Sequence, residues 1–233
     1  MSRAVEILVP IMLSGGCAAF GYWFMKAYKA QKHSQALLLK GAAALCFTGL
    51  AVVLSKHSGN PDYARLVLTG LLLGLWGDEL LHLRFLLPRF HDLFFGAGAA
   101  SFAVGHFFYM KALYDLGGIR IVILLPVFLA GLLIACSHGK KHGSNAGPLQ
   151  FAGVGYMALV VFMGALSISA FLARPSLATG LFALGGICFG VSDNILYAYC
   201  FGKYPKWSMN IWVHVTYYAA QLMIAWSILF MGG

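Results

Sequence analysis

Two aspartates stand in stretches otherwise apolar enough to cross a lipid bilayer: Asp78 in the run GLWGDELL and Asp193 in the run GICFGVSDNILY. A carboxylate at bilayer depth costs about 3 kcal/mol even on lenient insertion scales, so such a residue marks a functional site with a partner or a water cavity beside it. Two at similar depth point to a common polar pocket. Close carboxyls do not both ionise cheaply, so one keeps a proton while the other carries charge. That is the division of labour acid and base chemistry needs.

The remaining candidates are fewer than the length suggests. Of the 7 acids, Glu6, Asp62, Asp92 and Asp115 fall near segment ends or in loops. Glu79 follows Asp78 directly and so points about 100° further round a helix, away from any small site Asp78 faces. His106, in SFAVGHFFY, is placed to orient a carboxylate, relay protons or bond a phosphate, and equally to be a satisfied core histidine. Ser192 precedes Asp193 without a G-x-S-x-G elbow around it, which reads as a helper and not a nucleophile. In VTYYAAQLM, Tyr217 and Gln221 share a face at i and i+4, with Tyr218 beside them, offering a hydroxyl and an amide or a polar stripe that seals the bundle. Hydrogen bonds from the two aspartates to Ser192, Asn194, Tyr217 or His106 would also serve simply to tie helices together. His82, His106 and His214 invite a zinc-dependent lipid hydrolase as an alternative, although no HxxxH pair lies within a span. A proton-coupled small-molecule transporter would use the same acids. An internal repeat would favour it, but the GD and SD motifs share little surrounding sequence. Neither a metal nor a cofactor is expected.

The elements that must position these residues are membrane helices. With 61% hydrophobic and 10% charged residues in 233, the chain is far from the roughly 25% charge of a soluble domain, and it reads as an all-α polytopic membrane protein. At about 18 to 23 residues per crossing, eight spans emerge, at 5–25, 35–55, 64–82, 93–113, 119–137, 150–172, 177–199 and 209–230. Connections such as HSGNPDY, LPRFHD, DLGG, HGKKHGSNAGP, ARPS and GKYPKW carry turn chemistry and are too short to divide the chain. A single membrane-embedded domain over 1–233 follows. Gly70 with Gly74, Gly96 with Ala100, and Gly186 with Gly190 read as close-packing pairs. The 5 cysteines lie in apolar spans without CxxC spacing, as small buried hydrophobes.

The net charge of +9 is spread over short connections, which indicates headgroup contacts and no nucleic-acid partner. Lys26, Lys29, Lys32, Lys40, Arg84, Arg89, Lys140, Lys141, Lys203 and Lys206 follow odd-numbered spans; Arg3, Lys56, Arg65, Lys111, Arg120 and Arg174 lie on the other side. The bias places the first set in the cytoplasm and both termini outside it. Asp78, Asp193, Tyr217, Tyr218 and Gln221 then fall in the half of the bilayer nearer the basic side, within about two helical turns in depth.

Four motifs in order, GDELL (77–81), FAVGHFFY (102–109), GGICFGVSDNILYA (185–198) and TYYAAQ (216–221), resemble the YhhN-like lysoplasmalogenase family of eight-helix membrane proteins. The likeness runs from about the second helix to the last. It implies hydrolysis of the vinyl ether bond of a lysoplasmalogen, an alkenyl glycerophosphocholine or glycerophosphoethanolamine, to a fatty aldehyde and the glycerophospho-alcohol. Asp78, His106, Ser192, Asp193, Tyr218 and Gln221 match the family's positions. Lys40 matches its lysine at the second helix, but is followed by GAA where the family often has a nearby proline. By this resemblance Asp78 and Asp193 share the acid and base roles, Tyr218, Gln221 and His106 position ether and water, and Lys40 or a loop cation holds the phosphate. The implied partners are a lysophospholipid substrate and membrane lipids, and the implied location is a bacterial inner membrane or the endoplasmic reticulum.

Overall fold

The computed structural model describes residues 3–142 and 149–232, without the side chains of 3–6, 139, 142 and 149–152. Eight helices account for nearly all of it: α1 Arg3–Lys29, α2 His33–Ser55, α3 Pro61–Leu86, α4 His91–Asp115, α5 Ile121–His142, α6 Leu149–Ala173, α7 Leu177–Phe201 and α8 Trp207–Ser227. There is no strand among the described residues. Seven helices are long and apolar enough to cross a membrane, and α8 is the exception. Its 21 residues are helical as the sequence indicates. Its hydropathy is diluted by Asn210, His214, Tyr217, Tyr218 and Gln221, all buried, so candidate site residues are among those that weaken the signal. The HGKKHGSNAGP connection lies largely outside the described residues, although helix α5 continues into it as far as His142.

Local chemistry sets the helix ends. Asn60 caps α3, its Oδ1 accepting from the Tyr63 N–H at 3.0 Å, and Pro61 fills the first position, where a missing N–H costs nothing. Ser176 and Thr179 form a reciprocal capping box at the start of α7: Thr179 N–H donates to Ser176 Oγ at 3.2 Å and Ser176 N–H to Thr179 Oγ1 at 3.1 Å. Ring-bearing and aliphatic side chains cover the outside. Leu38, Val122, Leu133 and Ile134 are among many large apolar residues left exposed, a surface that fits a hydrocarbon solvent.

The chain divides into two units, Met1–Ala112 with Ile228–Gly233, and Leu113–Ser227. In the first, α1 packs on α2 and α2 on α3, and α3 meets α4 through glycines. A Cβ on Gly70 would land in the Tyr109 ring, one on Gly77 would stand 2.6 Å from Phe102, and one on Gly105 would stand 3.1 Å from the Gly70 carbonyl oxygen. Ser101 Oγ donates to the Leu73 carbonyl at 2.7 Å across the same seam. In the second unit, α6 packs on α5 and α7, and α7 on α8. Gly186 faces Ser167 and Gly164, and Gly185 faces Ile224 and the Ala220 carbonyl. Close approach at Gly70 and Gly186 agrees with the sequence. Gly96 and Gly190 open onto free space instead, so their small size serves no tight contact within the fold.

Candidate active site

Asp78 lies late in α3, 2% exposed. Lys40 reaches it from α2, with Nζ 3.0 Å from Oδ1 and 3.3 Å from the Asp78 carbonyl oxygen. The Lys40 ammonium also sits 5.8 Å from the Phe24 ring centroid. The two side chains are 8% and 3% exposed, so this is a buried ion pair whose desolvation cost is offset only while both charges stay in place. Lys40 is thus committed to a carboxylate, where the resemblance suggested a phosphate. Its neighbour Gly41 makes room for Glu79: a Cβ at 41 would lie 2.6 Å from Glu79 Oε1. Both consecutive acids therefore lean on consecutive residues of α2, a closer placement than their angular separation suggested.

His106, on α4, is 1% exposed. Its Nδ1 donates to the Phe102 carbonyl at 2.7 Å, and its ring stands edge-on to Tyr109 at 6.0 Å. His82 is also buried; its Nε2 lies 3.2 Å from the His33 carbonyl oxygen, among the rings of Phe24, Tyr28 and Phe85. That aromatic cluster, which joins residues from three helices, is not foreshadowed in the sequence.

In the second unit Asp193, on α7, is 6% exposed and accepts a hydrogen bond from the Tyr156 hydroxyl on α6 at 2.6 Å. Sequence reasoning missed Tyr156. The signal was a lone tyrosine in the apolar run GYMALVV, 37 residues before its acid, much as Lys40 precedes Asp78 by 38. Ser192 Oγ donates to the Val213 carbonyl at 3.0 Å, tying α7 to α8. On α8 the shared face is real: Gln221 Nε2 donates to the Tyr217 hydroxyl at 2.8 Å, fully buried. Tyr217 packs against Phe189 at 5.6 Å and Tyr218 at 5.4 Å, and Tyr218 lies 6.3 Å from His214. Among the described residues no three His, Cys, Asp or Glu side chains gather as a metal site.

Helical spans and buried acids held by polar side chains of the preceding helix define an integral membrane protein with intramembrane carboxyl sites. The YhhN family model matches residues 35–228, and the chain belongs to that family. No curated protein and no solved structure matches it.

Proposed function

We propose that this protein is a lysoplasmalogenase-type hydrolase that cleaves the vinyl ether bond of an alkenyl glycerophospholipid, with Asp78 and Asp193 as its acid and base. Membership of the YhhN family supports a function of this kind. The observation that carries the residue assignment is that each buried carboxyl is gripped by a polar side chain of the preceding helix, Lys40 for Asp78 and Tyr156 for Asp193. Carboxyls held in fixed rotamers are what proton transfer to carbon demands.

The reaction closes on itself. One carboxylic acid gives its proton to the β-carbon of the vinyl ether; the C=C electron pair forms the new C–H bond and the ether oxygen stabilises the oxocarbenium ion. Water adds to the cationic carbon and loses a proton to the other carboxylate, leaving a hemiacetal. Its hydroxyl proton returns to the first carboxylate while the second acid protonates the departing glycerol oxygen. Aldehyde and alcohol leave, and both carboxyls regain their starting states. Tyr217, Tyr218, Gln221, His106 and Ser192 would shape the surroundings, and the basic residues that end α1 and α3 suit an anionic headgroup. The side bearing those residues would be cytoplasmic, with the termini opposite.

Purified protein incubated with a lysoplasmalogen beside its saturated ether and ester analogues should release aldehyde from the vinyl ether alone. Asp78→Asn and Asp193→Asn should each lower turnover by at least ~100-fold with unchanged expression; wild-type turnover in both would overturn the assignment.

A further inference from the structure

The two units repeat each other's plan. The acid is the eighteenth residue of α3 (Asp78, from Pro61) and the seventeenth of α7 (Asp193, from Leu177). The side chain that holds it comes from the helix before, Lys40 of α2 and Tyr156 of α6. Holder and acid are separated by 38 residues in one unit and 37 in the other. Eight residues before each acid (78 − 70 and 193 − 185) stands a glycine on which the next helix closes, Gly70 against Tyr109 of α4 and Gly185 against Ile224 of α8. After each acid come a polar residue and two aliphatic ones, Glu79-Leu80-Leu81 and Asn194-Ile195-Leu196. Side-chain identity is shared at few positions. The helix order, the register of the second helix on the third, and that of the third on the fourth agree to within a residue or two, the margin by which helix ends are defined.

We infer that the chain is a tandem repeat of a four-helix unit in which the second helix positions the acid of the third. Tyr156 is then the counterpart of Lys40 and a positioning residue for Asp193. Resting on the function proposed above, the unlike holders separate the two roles. A fixed ammonium 3.0 Å from Asp78 is the countercharge that a buried carboxylate needs beside it, so Asp78 is the carboxylate that steadies the cation and takes the proton from water. Asp193 is the proton donor. The Tyr156 hydroxyl keeps the Asp193 carboxyl aimed and stabilises the negative charge that develops there as its proton departs.

The test uses the full-length protein in lipid nanodiscs. Infrared spectroscopy of the wild type should show the carbonyl stretch of a protonated carboxyl, lost in Asp193→Asn and kept in Asp78→Asn. Tyr156→Phe, which preserves the ring, should shift that band and lower kcat roughly 10- to 100-fold with KM within about twofold. A purely structural tyrosine would move neither. No such band, a band that disappears with Asp78→Asn and survives Asp193→Asn, or a Tyr156→Phe variant with wild-type kcat and band would each overturn the inference. If wild-type protein releases no aldehyde, the functional reading falls by itself, and the infrared experiment still decides where the proton resides.

Discussion

Lys40 and Asp78 have almost no contact with solvent, at 8% and 3% side-chain exposure, so neither charge has water to rely on if its partner is removed. Breaking a buried pair from one side typically costs 3–5 kcal/mol, roughly, because the survivor stays desolvated, whereas removing both charges is often nearly neutral. Lys40→Met should therefore destabilise the protein by about that amount in reversible unfolding from mixed micelles. Adding Asp78→Asn should restore most of the loss. A double variant no more stable than Lys40→Met would show that the two groups are not energetically coupled. The pairing also explains a limit of reading residues singly: Lys40 stands beside no acid in sequence, and a cation 38 positions before its partner looks like one more topology signal until the helices are packed.

At the scale of helices, glycines fix how closely neighbours approach, and their tolerance of a methyl group depends on what stands opposite. Gly70→Ala would drive its Cβ into the ring of Tyr109, which is 2% exposed and cannot retreat; a loss of about 1–3 kcal/mol is expected from overpacking. Gly41→Ala meets only the carboxylate tip of Glu79. That tip ends a flexible chain, so its variant should unfold within roughly 0.5 kcal/mol of wild type, a change typical of sites without a rigid obstacle. Unfolding curves of the two variants, run side by side, check the contrast. Helix number and most helix bounds were legible in the sequence, because long apolar runs broken by turn residues such as HSGNPDY and ARPS leave little choice of secondary structure. The aspartates stood out for the same reason, as polar atoms in apolar runs. Tyr156 did not, since a tyrosine in a membrane helix has an ordinary use as an interfacial anchor, and which face of α6 meets α7 is a matter of packing. The repeat was hidden too, for it resides in register and helix order while GLWGDELL and FGVSDNIL share few letters.

For the whole molecule, α8 is the helix whose crossing has to be argued from burial, because its polarity keeps it below the hydropathy of the other seven. Its length of 21 residues, at ~1.5 Å each, spans the roughly 30 Å hydrocarbon core. Its larger polar groups face protein: Asn210, His214, Tyr217, Tyr218 and Gln221 are all buried, while the exposed residues are Ile211, Trp212 and Val215 together with Ser208 in the first turn. Lipid therefore meets an apolar surface, and the insertion penalty that sequence averaging assigns to α8 is not incurred. The orientation proposed above rests on charge. With Lys40 withdrawn into its ion pair, the basic side keeps nine of its ten cations against six opposite. The aromatic neighbours of that side, Tyr22 and Trp23 at 4.9 and 5.0 Å from Lys26, suit a headgroup boundary. Between Lys141 and the C-terminus lie α6, α7 and α8, an odd number of crossings if all three span. Alkaline phosphatase fused after Lys141 in a bacterial host should be inactive and the same enzyme fused after Gly233 active, with green fluorescent protein fusions giving the inverse pattern. Equal phosphatase activity at both points would mean that α8 stays on one face of the membrane, and the hydroxyl and amide it carries would then have to be placed anew.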